Sequence, residues 1–160
     1  MSTLYVMCGA PGSGKSTWAN KFIDGRAQTV YLSRDTVRMS IITDKDAYFS
    51  HEDEVYDKFT DLIVEKLTEG VDVVADATHL SRGSRKKLVN TLAAKGMTFS
   101  MYDLIFVMMD TPEAVCIKRD ATRTGRQHVT ADVISRMCNQ IQIPTIGEFS
   151  HVKEVWLIRA

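Results

Sequence analysis

Gly9-Ala10-Pro11-Gly12-Ser13-Gly14-Lys15-Ser16 sets three glycines just ahead of a lysine and a hydroxyl. Glycine reaches backbone conformations closed to other residues, so consecutive N–H groups can turn inward with no Cβ in the way. Such a nest binds an anion, and a helix opening at Lys15 adds the positive end of its dipole. The pattern G-x-x-x-x-G-K-[ST] carries this chemistry when a strand precedes it and a helix follows. Both flanks are present: Thr3–Cys8 is a short apolar run ending at glycine, and Lys15–Ile23 reads as a helix. The segment from Gly9 through Pro11, Gly12, Ser13 and Gly14 to Thr17 is therefore expected to surround the phosphates of a nucleoside triphosphate such as ATP. Lys15 would reach the β- and γ-phosphates, and the Ser16 hydroxyl would ligate Mg²⁺.

A bound triphosphate does nothing until an acceptor is activated. Asp76 ends the apolar strand Val73-Val74-Ala75, and Asp35 follows the strand Thr29–Leu32. Ligands of open parallel sheets sit beyond the carboxyl ends of strands, so both acids are expected to face the crevice that holds Lys15. Either can take the proton of an acceptor hydroxyl. Arg38 lies three residues after Asp35, on the same face of a helix or turn starting there. An acid beside an arginine suits an acceptor carrying its own phosphate: the acid takes the hydroxyl and the guanidinium the phosphate. Arg119, Arg123 and Arg126 follow at spacings of four and three. They line one helix face, or Thr124-Gly125 breaks the helix and puts Arg126 on a loop. Either way they are expected to close over the triphosphate and neutralise charge on the transferred group.

These groups need a scaffold, and the pattern is strand, helix, strand, helix. Ser50 can cap a helix with Val55, Phe59, Leu62, Ile63 and Leu67 at helical spacing and Gly70 as its stop. Val71–Ala75 is a third strand. Ser81 can cap the next helix, with Leu88, Val89, Leu92 and Ala93 facing inward and Gly96 ending it. Leu104–Met109 is a fourth strand, apolar throughout, as a strand covered on both faces must be. Thr111–Thr122 and Ala131–Ile141 read as helices, and Val155–Ile158 is a last short strand. The expectation is an α/β fold of three layers, α/β/α, with a central parallel sheet of about five strands. No repeat or linker divides the chain, so residues 1–160 are read as one domain.

Composition narrows the class. The chain is 44% hydrophobic and 25% charged, at the globular average, so disordered and coiled-coil readings fall away. The 20 basic and 20 acidic side chains cancel, so no global positive field draws in nucleic acid or anionic lipid. The charge is uneven: seven acids lie between Asp44 and Asp61, and five bases with no acid between Arg82 and Lys95. These segments read equally well as solvated helix faces. The longest apolar run, Leu104 to Met109, is far short of the ~20 residues of a membrane span, and no membrane partner is expected. Cys8, Cys116 and Cys138 are odd in number and widely spaced, which points to free thiols in a reducing compartment with no disulfide partner. The methionines, among them Met7, Met108 and Met137, read as packing.

The segments GAPGSGKSTWA, SRDTVRMSI, VVADATHLSRGSRKKL and VCIKRDATRTGRQHVTADVISRM together resemble the kinase domain of 5′-hydroxyl polynucleotide kinases, the phage and bacterial end-repair enzymes. The resemblance spans nearly the whole chain, with S-R-D-x-x-R and R-x₃-R-T-G-R-Q as its more specific parts. It implies a P-loop kinase fold that uses ATP and Mg²⁺, and a 5′-hydroxyl end of DNA or RNA as acceptor. It makes Asp35 the general base and sets Arg38 on the acceptor's adjacent phosphate. Asp76 and Thr78 fall on the acceptor side, and Arg119, Arg123 and Arg126 on the ATP phosphates. A cytoplasmic setting is implied, in the host if the chain is phage-encoded. His79 stands where many relatives have asparagine. No D-x-D-x-T motif is present, so no 3′-phosphatase activity is expected. Two other readings stay open: a kinase of a small hydroxyl compound (sugar acid, nucleoside or antibiotic), and a non-catalytic ATP-binding module.

Overall fold

The computed structural model of the chain describes residues 1–125 and 129–159. In chain order the elements are β1 (Thr3–Cys8), α1 (Lys15–Ile23), β2 (Thr29–Ser33), α2 (Arg34–Ile41), α3 (Glu52–Thr68), β3 (Asp72–Asp76), α4 (Arg82–Ala94), β4 (Asp103–Asp110), α5 (Glu113–Ala121), α6 (Ala131–Asn139) and β5 (Val152–Arg159). A single 3₁₀ turn, Ile146–Glu148, precedes β5. The strands form one sheet in the order β2-β3-β1-β4-β5, and every pairing is parallel. All carboxyl ends therefore lie along one edge, and the loops after β1, β2, β3 and β4 emerge together there.

Side chains alternate across the sheet, which explains why its central strands are apolar without interruption. Leu4, Val6, Val73, Ala75, Leu104, Phe106 and Met108 point to one face, where Val55, Phe59, Ile63 and Leu67 of α3 and Leu88 and Leu92 of α4 cover them. Tyr5, Met7, Val74, Ile105, Val107 and Met109 point to the other, where α1 brings Ala19, Trp18 and Phe22. The fold is the expected three-layer α/β/α arrangement on a five-stranded parallel sheet. No described helix is long and apolar enough to cross a membrane. Cys8 and Cys116 are buried and Cys138 half-buried, all as free thiols.

Local signals set most boundaries. The Ser81 hydroxyl accepts from the Ser84 N–H at 3.1 Å, and the Ser84 hydroxyl sits 3.2 Å from the Ser81 N–H, a reciprocal cap for α4. Ser50 does not cap α3: its hydroxyl donates to the Ala47 carbonyl at 2.7 Å, inside the preceding turn. His51 stands at the cap, its side chain making no capping bond, and Glu52, Asp53 and Glu54 in the first turn meet the dipole instead. The polar stretch from Ser33 is itself a helix, α2, with Ser33 as its cap. β5 starts at Val152 rather than Val155, and α6 ends at Asn139 rather than Ile141.

The uneven charge is partly structural. Lys95 lies 2.7 Å from both Asp57 and Asp61, joining the basic helix α4 to the acidic helix α3. Arg85 is no solvated base: it is fully buried, with Nε 2.7 Å from Glu148. Its other nitrogens donate to the carbonyls of His79 at 2.8 Å and Gln142 at 2.7 Å. One guanidinium thus ties α4, the loop after β3 and the 3₁₀ turn before β5. Glu148→Ala would strand this charge, and a loss of about 3–5 kcal/mol is expected on breaking a buried pair from one side. Urea unfolding measures it; a loss within 1 kcal/mol would contradict this role for the pair.

Candidate active site

The loop between β1 and α1 is held open from three sides. The Gly9 N–H donates to the Thr78 carbonyl at 2.9 Å, joining it to the loop after β3. The Thr111 hydroxyl, just past β4, donates to the Ser13 carbonyl at 2.8 Å. The Arg119 guanidinium, on α5, lies 3.4 Å from the Gly12 carbonyl. Gly12 and Gly14 take φ of +81° and +95°, and a Cβ on Gly12 would come within 2.4 Å of the Cys116 carbonyl oxygen. Only glycine meets both demands at position 12. Lys15 Nζ donates back to the carbonyls of Gly9 at 3.0 Å and Ala10 at 3.1 Å, and the Ser13 hydroxyl is buried without a partner. A cradle of backbone N–H groups, a folded-back lysine and an orphaned hydroxyl fit a phosphate chain. Ser16 and Asp76, both lining the cleft, are the oxygens that could hold Mg²⁺ alongside those phosphates.

This loop forms one wall of a cleft of about 770 Å³. Lys15, Asp35, Arg38, Asp76, Thr78 and Arg123 all line it, so the two strand-end acids do share a crevice with the lysine. Arg123 lies past the end of α5, which stops at Ala121, so the helix breaks before it. Asp120 is buried beneath: it accepts the Val129 N–H at 3.0 Å and lies 3.9 Å from Arg123. Arg119 remains on the helix, against the back of the phosphate loop. Arg126 lies outside the described residues.

Burial gives the two acids different characters. Asp76 is buried and accepts a hydrogen bond from the Tyr31 hydroxyl. Its burial pushes the carboxyl pKa up, while Lys15 and the Tyr31 bond pull it back. Lys15 is pushed down by its own burial, with Asp76 opposing that shift. Asp35 is 60% exposed on the first turn of α2 and accepts from Arg38 and, at 3.1 Å, from the Tyr48 hydroxyl. Arg38 is not poised alone for an incoming phosphate: it is buried, and Glu52 takes its Nε at 2.8 Å and Nη2 at 2.5 Å. Only Nη1 faces Asp35. The bond from Arg38 holds the Glu52 carboxyl below its usual range.

Tyr31, Tyr48, Phe49 and Glu52 were not singled out in the sequence, yet all line the cleft. Glu52 is 14 residues from Arg38, beyond the reach of any periodicity. Phe49 is 64% exposed, an aromatic ring with no core role, and packs edge-on to Tyr48 with ring centres 4.8 Å apart.

A parallel sheet between two helical layers, with this loop, defines a P-loop nucleotide-binding domain of the kinase type. A family model described as an AAA domain matches residues 4–144, and the chain belongs to that family. No curated protein sequence matches it. A chain of the Pnkp1/Rnl/Hen1 RNA repair complex is similar at 27% identity and a TM-score of 0.74, over 87% of this chain and 43% of that one. The present chain thus spans less than half the length of that relative. A fungal RNA kinase shares the fold (16% identity, TM-score 0.64, 98% of this chain and 74% of that one). So does a sugar kinase from Janibacter (16%, 0.66, 99% and 85%). The likeness to polynucleotide kinases read from the motifs is matched in three dimensions. The kinase fold and these neighbours support nucleotide use and phosphotransfer, and leave the acceptor open.

His79 adds a pH signature. It is buried at φ +43°, with Nδ1 2.9 Å from the Met7 carbonyl, and burial lowers its pKa to about 4. The unfolded chain, with the usual value of 6.5, binds the extra proton first, so stability falls as pH drops from about 6.5 toward about 4, by roughly 3 kcal/mol. Asparagine tolerates the left-handed region, so His79→Asn should fold and lose that part of the slope. Urea midpoints of both proteins between pH 4 and 7.5 test this; parallel slopes would contradict it.

Proposed function

We propose that this chain transfers the γ-phosphate of ATP to the 5′-hydroxyl of a DNA or RNA strand. The observation that carries the reading is the Asp35–Arg38–Glu52 chain across the cleft from the phosphate loop. A 5′ end offers a hydroxyl with a phosphodiester one sugar away. Asp35 suits the first, exposed and oriented by Tyr48. Arg38 suits the second through Nη1, its other nitrogens being anchored to Glu52. The resemblance of S-R-D-x-x-R to polynucleotide kinases, and the likeness to an RNA repair complex chain and a fungal RNA kinase, support the same acceptor.

In the proposed step Asp35 accepts the hydroxyl proton as the oxygen attacks the γ-phosphorus. The new O–P bond forms in line with the bond to the β-phosphate oxygen, which breaks and leaves ADP. Lys15 turns from the Gly9 and Ala10 carbonyls to the phosphates, where an anion relieves the cost of its burial. Arg123 approaches the same charge from the α5 side, and Arg119 braces the phosphate loop through the Gly12 carbonyl. Asp76, held by Tyr31, and Thr78 border the acceptor. Ser16 and Asp76 would hold Mg²⁺, which would supply charge neutralisation to the phosphates.

A small hydroxyl acceptor is the second reading, favoured by the shared fold of the Janibacter sugar kinase and by the zero net charge. Asp35→Asn is expected to lower kcat on a 5′-hydroxyl oligonucleotide by about 10²–10⁴-fold, with ATP affinity unchanged. Steady-state kinetics with a parallel ATP titration reads both. A kcat within threefold of wild type would remove Asp35 as the base.

A further inference from the structure

Lys87, Thr91 and Lys95 follow at four-residue spacing on the side of α4 that faces α3. The two lysines differ in their surroundings. Lys95, at the end away from the cleft, is neutralised by Asp57 and Asp61. Lys87, two turns nearer the cleft, is exposed and has no acidic partner among the described residues. Its ammonium instead lies 4.4 Å from the centre of the Tyr56 ring. The Arg34 guanidinium carbon lies 5.1 Å from the same ring. The two cations are thus no more than about 10 Å apart on one aromatic ring. Among the described residues Glu52, 3.3 Å from Arg34, is the one acid in ion-pair contact with either, and its closer bonds go to Arg38. Arg34 Nε is buried with no hydrogen-bond partner.

The groove between α3 and α4 is therefore ion-paired at one end, while at the other Arg34 and Lys87 share one ring beside the first-turn acids of α3. Two like charges on one ring repel unless an anion joins them, and a buried guanidinium N–H without an acceptor is a donor in want of one. This second end is continuous with the acceptor side of the cleft: Arg34 lines it, beside Asp35. Exposed Arg82 and Lys86 extend the positive surface along α4. Arg34, Arg82, Lys86 and Lys87 are thus the bases that a strand leaving the acceptor site along α4 would meet.

We infer that the upper α3–α4 groove, from Arg34 across Tyr56 to Lys87, seats backbone phosphates of the acceptor strand beyond its 5′-terminal nucleotide. The inference rests on the polynucleotide reading and deepens it, because the groove recognises a polymer by its spaced phosphates and not by its bases.

Phosphate transfer to a 5′-hydroxyl decamer and to a nucleoside 3′-phosphate separates the groove from the active site. For Lys87→Ala, KM for the decamer is expected to rise about two- to fivefold, as for one exposed charge contact. Its log KM against log salt should lose about 0.7 of slope, one single-strand phosphate contact. The kcat, and KM for the nucleoside 3′-phosphate, should stay at wild-type values. Lys153→Ala, at the opposite edge of the sheet, is the control and should change neither. An unchanged decamer KM and salt slope in Lys87→Ala would overturn the groove alone. An equal loss on both acceptors would also overturn it, by assigning Lys87 to the site or the fold. A wild-type chain that phosphorylates small acceptors but no oligonucleotide would overturn the groove together with the polynucleotide reading.

Discussion

Every other feature of the cleft depends on the backbone between β1 and α1 curling around an anion, and that requires Gly12 to lie against the Cys116 carbonyl at positive φ. A methyl group there would meet a backbone oxygen that cannot move without shifting α5. The loop is also bonded to the segment after β3 through Gly9 and to the end of β4 through Thr111. These contacts come from three chain segments that the parallel sheet brings to one edge. The central place of β1 in the order β2-β3-β1-β4-β5 makes this possible: its carboxyl end has β3 on one side and β4 on the other. Donor loop and acceptor loop are thereby fixed to each other before any ligand arrives.

Within this frame burial divides the work among the charges. Burial disfavours the ionisation of both Lys15 and Asp76, and each favours the other's. That suits groups meant to meet phosphate charge. Asp35 stays open to solvent, which suits the proposed role of receiving and releasing a proton each cycle. Its orientation comes from Tyr48 and from an arginine that Glu52 immobilises. A half-buried ion pair fixes one guanidinium, and such a pair is better evidence for geometry than for stability.

Local patterns were legible in the sequence and distant ones were not. The phosphate loop is contiguous, and its glycines state their own backbone demand. The central strands showed as unbroken apolar runs because both faces are covered, and the Ser81 cap lay beside its helix. Ser50 misled because a serine ahead of a helix has two uses, and here its hydroxyl closes a turn onto Ala47. The helix α2 was hidden by polarity: only Val37 and Arg38 of its eight residues are buried. Glu52 on Arg38 and Tyr31 on Asp76 join residues 14 and 45 positions apart, and no spacing rule announces such pairs. The acid–base asymmetry of α3 and α4 was visible as composition. Its division into an ion-paired end and an end where Arg34 and Lys87 share one ring needed the packing of the two helices.

The most direct test of the account is transfer of labelled γ-phosphate from ATP, with Mg²⁺, to matched oligonucleotides bearing a 5′-hydroxyl or a 5′-phosphate, beside a panel of sugar acids and nucleosides. The account predicts label on the 5′-hydroxyl strand alone among the nucleic acids, at a kcat/KM above that of any small acceptor. Label on a sugar acid or nucleoside with none on either strand, or ATP bound with no transfer at all, would contradict it.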